Sequence, residues 1–228
     1  MNQTIITEIT QGLTTAFIDH TVSSNLAYRP QFVSNNYKEG RKVISSIEDE
    51  LLSCEQFAIS VAFITMSGIT PLLQTLKELE KRGITGRILT TDYLTFSDPK
   101  ALQKLEEFSN LHVKMYVTDQ TEEGFHTKGY IFKKEEMYRI IVGSSNMTLS
   151  ALTVNREWNT RIVSTEQGEY AQSVLTEFED LWNSPQAIEF EQFIDSYTEN
   201  YTRNKIIRKQ KELARQEQIP SLEACLLY

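Results

Sequence analysis

The stretch GFHTKGYIFKKEEMYRIIVGSSNMTLSALTVNREWNTRIV, residues 124–163, decides the fold. It reads as strand, turn, strand, tight loop, short helical turn, strand. His126 and Lys128 are two apart, so on an extended chain they share a face. The polar run Lys133-Lys134-Glu135-Glu136-Met137 can turn the chain back. Tyr138–Val142 is apolar and β-branched, which suits a strand. Pairing Phe132 with Tyr138 brings Ser144 opposite His126, with Asn146 just beyond. A slip of one residue turns Ser144 away.

These groups suit chemistry on a phosphate. A neutral imidazole is a nucleophile near neutral pH. The Lys128 ammonium can hold a phosphate oxygen. Ser144, Ser145 and Asn146 can donate further hydrogen bonds, and Gly143 lets backbone approach closely. Glu157 can accept from the second imidazole nitrogen and fix the tautomer. None of these steps needs a metal or another cofactor.

His126-x-Lys128 followed by Gly143-Ser144-x-Asn146 resembles the His-x-Lys and Gly-Ser-x-Asn motif of the phospholipase D superfamily. The full motif carries an Asp five residues after the Lys, where this chain has Lys133. The pattern is similar to the nuclease branch of that superfamily, including metal-independent restriction endonucleases. There a Glu downstream of the Asn belongs to the site, and Glu157 in NREWN matches it. A looser similarity over residues 24–185 is to the phospholipase D-type domain at the N-terminus of bacterial superfamily 2 helicases. The resemblance implies a phosphohistidine intermediate and a second histidine as acid for the leaving group. It also implies a homodimer, with one His126 from each copy across a single phosphate. Catalytic roles then fall to His126, Lys128, Asn146 and Glu157, and substrate contacts to Ser144, Gly143 and Ser145.

A bare His-x-Lys carries no information. His112-Val113-Lys114 is another, inside LHVKMYV, where Leu111, Val113, Met115 and Val117 alternate as the apolar side of a strand. No Gly-Ser-x-Asn follows it at comparable spacing, so His112 is expected to be a strand-face residue.

The chain has 228 residues and a formal net charge of −8. That charge argues against a general nucleic-acid coat, although a nuclease site can be locally positive on an acidic chain. Cys54 and Cys225 lie far apart and form neither a metal-ligand pattern nor a disulfide framework. No apolar run is long enough to span a bilayer and no leader pattern is present, so a cytoplasmic protein without a membrane partner is expected.

Around the motif, helices are expected over 40–54, from Ser67 to Gly83, over 97–109 and over 166–183. Strands are expected over 57–64, 87–91 and 111–117. Residues 1–19 can form a short helix with Ile5, Ile9, Leu13 and Phe17 on one face. Residues 23–36, carrying Arg29, read as an extended loop, and residues 119–124 as an acidic loop. Asp92, just past a strand end, could line a pocket or cap a turn. Past Pro185 the composition shifts to a long charged helix, basic in its later part, with an apolar tail from Leu222. This order implies an α/β fold, a phospholipase D-like mixed β-sheet flanked by helices on both faces. The expected division is residues 1–185 as that domain and 186–228 as a helix and tail, a possible linker to a fused or associated helicase domain.

The leading functional reading is a metal-independent phosphodiesterase, a DNA endonuclease domain of a restriction, defence or helicase-linked system. A phosphodiesterase for another substrate, and a non-enzymatic nucleic-acid-binding or dimerisation module, stay open beside it.

Overall fold

The computed structural model describes residues 2–118 and 124–225. Helix α1 (Gln3–Leu13) precedes a short strand β1 (Gln31–Val33) and helix α2 (Val43–Ser53). Strand β2 (Gln56–Val61) leads through α3 (Met66–Ile69) and α4 (Leu73–Lys81) to β3 (Thr85–Thr91). Helix α5 (Pro99–Glu106) and β4 (Leu111–Tyr116) follow, then the hairpin β5 (Lys128–Lys134) and β6 (Met137–Gly143). Helix α6 (Leu149–Thr153), β7 (Asn159–Thr165), α7 (Glu169–Trp182), β8 (Ala187–Glu189) and α8 (Phe190–Cys225) complete the chain. The acidic loop expected before the site lies, apart from Gly124, outside the described residues, as do residues 226–228 of the apolar tail.

The eight strands form one sheet in the order β1-β7-β6-β5-β2-β3-β4-β8. Strands β2, β3 and β4 are parallel, as helical crossovers require, and the other neighbours pair antiparallel. Alternation along β2 explains the layers. Phe57, Ile59 and Val61 point to the face covered by α2, α4, α5 and α8, where Ile47, Leu51, Leu79, Leu102 and Phe193 are buried with them. Ala58 and Ala62 point to the other face, where α7 packs Ala171, Phe178 and Trp182. Each fully buried aliphatic or aromatic side chain contributes roughly 1.5–3 kcal/mol, so this two-sided burial holds the sheet. The α/β architecture with helices on both faces agrees with the expectation from sequence.

A buried ionic cluster ties α2 to the antiparallel half. Glu50, 4 % exposed, accepts from Arg161 Nη1 at 2.8 Å and lies 3.5 Å from Arg139 Nη1. Both arginines stand on the α2 side of neighbouring strands, two rungs apart by register (Arg139↔Val163, Ile141↔Arg161).

Several local expectations are corrected. The loop over 23–36 contains β1, which pairs antiparallel with β7 as the sheet edge. The helix expected from Gln186 begins at Phe190, because residues 187–189 form β8 against the other edge, on β4. Three-residue strands carry too little periodicity to be read locally. The helix after β2 opens at Met66 rather than Ser67, capped by Thr65, whose hydroxyl accepts from Gly68 N. Asp98 caps α5, with Pro99 at the first helical position, so this helix starts two residues later than expected. On β4, His112 is exposed while Leu111, Val113 and Met115 are buried, the strand-face role expected for it.

The hairpin register differs from the expected one by a single residue. Lys133 pairs with Tyr138, and Lys134 with Met137, leaving a two-residue turn of Glu135-Glu136 with Glu135 at φ 53°. The expectation spread the turn over five residues. Met137 instead joins the strand because its side chain is buried with Ile9 and Val163.

Candidate functional site

The start of β5, the end of β6 and the start of β7 lie together, because these strands run antiparallel. Val61 at the end of β2 pairs with Lys128, so the carboxyl ends of β2, β3 and β4 come to the same rim. Open α/β sheets take ligands at such a rim.

His126 stands just before β5 on an anchored segment. Phe125 is buried against Tyr116, with ring centroids 5.3 Å apart. The Thr127 hydroxyl is 2.5 Å from that of Ser60 on β2. His126 itself is exposed, and its ring meets Tyr93 edge-on at 4.8 Å. Fixed neighbours with an exposed imidazole make a positioned, accessible nucleophile. Lys128 Nζ donates to the His126 carbonyl at 2.7 Å. Partial burial holds the Lys128 ammonium below the usual lysine range, and the nearby negative charge of Glu157 partly offsets this.

The loop after β6 is built from below. Gly143 pairs with Asn159, and a Cβ there would stand 2.3 Å from the Trp158 carbonyl oxygen and 2.4 Å from Asn159 Oδ1. The missing side chain therefore admits β7 and its amide, which gives a packing reason for glycine at this position. The substrate contact expected for Ser145 is corrected. Ser145 is 0 % exposed, and its hydroxyl accepts from Asn159 Nδ2 at 3.0 Å. Its backbone N–H donates to Asn159 Oδ1 at 3.3 Å, and its carbonyl accepts from the Tyr130 hydroxyl at 2.9 Å. Ser145 supports the loop and does not face the rim. Burial, and then the charge of Glu157, pushes the Tyr130 phenol upward, so it stays a donor.

Asn146 Oδ1 accepts from Phe63 N at 3.1 Å, which orients the side chain and leaves its Nδ2 as the donor group. Ser144 is exposed at the rim; its N–H donates to the Trp158 carbonyl at 3.1 Å. The Ser144 hydroxyl donates to Glu157 Oε2 and accepts from Trp158 N at 3.1 Å. Glu157 is only 8 % exposed. The hydrogen bond expected from His126 to Glu157 is thus replaced by one from Ser144, while the carboxylate acts on Lys128 through its charge. The one-residue change of register explains this: Ser144 lies beyond the last strand pair and turns toward β7, not toward His126.

Some residues of the rim had no role assigned from sequence. Asn159, inside NREWN, is the amide that organises Gly143 and Ser145. Tyr93 reaches His126 from the loop after β3. Its neighbour Asp92 is a turn cap, accepting from Thr118 N and Thr118 Oγ1, each at 2.9 Å. Arg29 donates to the Ser24 hydroxyl at 3.1 and 3.0 Å. Thr148 caps α6 by accepting from Ala151 N. Among the described residues no three His, Cys, Asp or Glu side chains converge as metal ligands. No helix among them is long and apolar enough to cross a membrane.

Position 133, where the full motif has Asp, lies five residues along β5 from Lys128. At about 3.3 Å per residue that is roughly 16 Å from the rim. Lys133 there forms an ion pair with Glu166 at 2.7 Å, and the hydrogen bond to Glu166 raises its pKa. The departure from the motif leaves the composition of the rim unchanged.

Comparison with known proteins agrees with this geometry. Residues 48–182, more than half of the chain, match the family described as "Cardiolipin synthase, PLD-like domain". The fold is similar to NucT from Helicobacter pylori, at TM-score 0.55 and 15 % identity, covering 71 % of this chain and 99 % of that one. It is similar to Nuc of Salmonella typhimurium, a phospholipase D family member, at TM-score 0.53 and 18 % identity, with the same coverage of 71 % and 99 %. A phosphatidylserine synthase from Haemophilus influenzae gives TM-score 0.51 at 15 % identity, over 81 % of this chain and 46 % of that one. A search of curated proteins by sequence found no match. The motif at one sheet rim and the family match over most of that sheet make this chain a member of the phospholipase D superfamily, with a PLD-like domain over residues 48–182.

Proposed function

We propose that the chain is a metal-independent phosphodiesterase acting on nucleic acid, with DNA as the leading substrate. The observation that carries this reading is the rim itself. An exposed, anchored His126, the Lys128 ammonium and the oriented amide of Asn146 stand at one edge of a rigid sheet. In this mechanism a His126 ring nitrogen attacks phosphorus, and the bond to the leaving oxygen breaks. A second histidine gives that oxygen its proton, then takes one from water. The water oxygen attacks phosphorus, the P–N bond breaks, and His126 is restored. Lys128 and Asn146 Nδ2 hold the non-bridging oxygens as charge builds on them. Glu157 keeps Ser144 in place and supports the charge of Lys128.

The second histidine comes from a second copy of the chain in this reading. Exposed apolar groups beside the rim support such a contact: Trp158, 74 % exposed, meets Phe32, 60 % exposed, edge-on at 5.9 Å. Nucleic acid as substrate, and a restriction, defence or helicase-linked setting, rest on the sequence resemblance. Cleavage of DNA in EDTA by the purified chain tests the proposal, with His126→Ala alongside. Wild-type cleavage with at least a 10³-fold loss in the variant, at unchanged Tm, is the expected result, in line with removal of a nucleophile. Equal cleavage by both proteins would remove His126 from the mechanism.

A further inference from the structure

Helix α8 begins outside the family match, which ends at residue 182, and it forms a groove that the motif does not explain. Past the buried Phe193 and Tyr197, Tyr201, Asn204 and Arg208 recur at helical spacing and are the less exposed positions over residues 201–214, so this stripe faces the domain. Between the stripe and the loop after β3 lies a cavity of about 810 Å³. Its lining includes Tyr93, Phe96, Asn200, Asn204, Arg208 and Lys211. Tyr93 is the wall shared with the site, since its ring also meets His126.

The loop is held in an unusual shape. Leu94 and Thr95 have φ of 56° and 48°, the left-handed region that non-glycine residues seldom occupy. Such a conformation persists when its surroundings enforce it. Here α8 does so: Asn204 Nδ2 donates to Thr95 Oγ1 at 3.0 Å and Arg208 Nη2 to the Thr95 carbonyl at 2.9 Å. The Arg208 guanidinium also lies 4.6 Å from the centre of the Phe96 ring. Phe96 remains 43 % exposed and Leu94 55 % exposed. Among the described residues the one acid in the lining, Asp92, is turned to Thr118. On a chain of net charge −8, this wall joins cations to an exposed aromatic ring next to the candidate nucleophile.

We propose that this groove binds a single nucleic-acid strand flanking the phosphate at His126. Arg208 and Lys211 contact its backbone, and the Phe96–Arg208 pair forms a platform for an unpaired base. A platform of this kind suits single strands, because an unstacked base offers its face to any aromatic ring. The inference rests on the nucleic-acid reading above, and its test separates the two.

The test measures binding of a fluorescent oligothymidylate, and of its abasic counterpart, across a range of salt, with His126→Ala added to every protein for binding so that the oligomer stays intact and His126 restored for turnover. The full chain is compared with Lys211→Gln, Phe96→Leu and Lys209→Gln; Lys209 lies on the same helix but does not line the groove. Lys211→Gln should weaken binding several-fold and lower the slope of log K against log salt by about 0.7, one phosphate contact on a single strand. Phe96→Leu should weaken oligothymidylate binding about tenfold and leave abasic binding unchanged. Lys209→Gln should match wild type. Turnover of bis(p-nitrophenyl) phosphate, too small to fill the groove, should be equal in all four proteins. Lys211→Gln binding like wild type, Lys209→Gln losing as much, an equal Phe96→Leu loss on both oligomers, or binding of duplex alone would each overturn the groove. The expected binding pattern without cleavage of any phosphodiester would keep the groove and reject the phosphodiesterase reading.

Discussion

Two glycines on neighbouring strands should respond in opposite ways to the same substitution. Gly143 ends β6 opposite Asn159, and Gly129 on β5 pairs with Val142, the residue before it. A Cβ at Gly143 would lie 2.3 Å from Trp158 O, 2.4 Å from Asn159 Oδ1 and 2.5 Å from Asn159 Cα. Two of those atoms are backbone, so no rotamer relieves the clash. The strands must part by at least about 0.7 Å to bring the nearest contact to 3.0 Å. Overpacking of this kind costs roughly 1–3 kcal/mol. Weakened hydrogen bonds between Asn159 and Ser145 add about 1 kcal/mol. Gly143→Ala should therefore destabilise the fold by about 3 kcal/mol, or about 6–12 °C in Tm for a domain of this size. The same movement carries Ser144 and Asn146, and a displacement near 1 Å can cost about 10²-fold in rate. A Cβ at Gly129 meets nothing within 4 Å, and its φ is not positive. Gly129→Ala should change stability by no more than about +0.5 kcal/mol, through the unfolded chain. Thermal melts by circular dichroism and kcat/KM at a temperature where all three proteins are folded check both halves. Gly143→Ala with wild-type Tm and rate would refute the close approach of β6 and β7 at the rim.

The remaining predictions concern charge. Burial lowers the Lys128 pKa and Glu157 raises it, so Glu157→Gln should lower it further. Because Lys128 must be protonated to hold phosphate, the alkaline limb of the kcat/KM profile should move to lower pH in Glu157→Gln. A limb that stays in place or moves up would detach Lys128 from Glu157. Glu50→Ala leaves Arg139 and Arg161, each about 15 % exposed, without their shared carboxylate. Breaking a buried ion pair costs roughly 3–5 kcal/mol, so urea melts should show a loss of that order; a loss under 1 kcal/mol would mean the arginines find water instead.

The candidate site was legible in the sequence because its motif is encoded locally. His126-x-Lys128 and Gly143-Ser144-x-Asn146 are short motifs on residues that any pairing of the hairpin brings to one end of the sheet. Helices α2, α4, α5 and α7 followed from apolar periodicity, and the apolar run of β2 announced a strand covered on both faces. The partners of those residues were not legible. Ser145 and Ser144 are chemically alike in the sequence, yet one is sealed against Asn159 and the other reaches the rim beside Glu157. Tyr93 lies 33 residues from His126 and touches it only because β3 and β5 flank β2. The edge strands β1 and β8, three residues each, exist through pairing with distant segments. Residue type and spacing along the chain determined which groups reach the rim. Long-range strand register, which a single residue can shift and which Met137 fixed by its own burial, decided which of them touch.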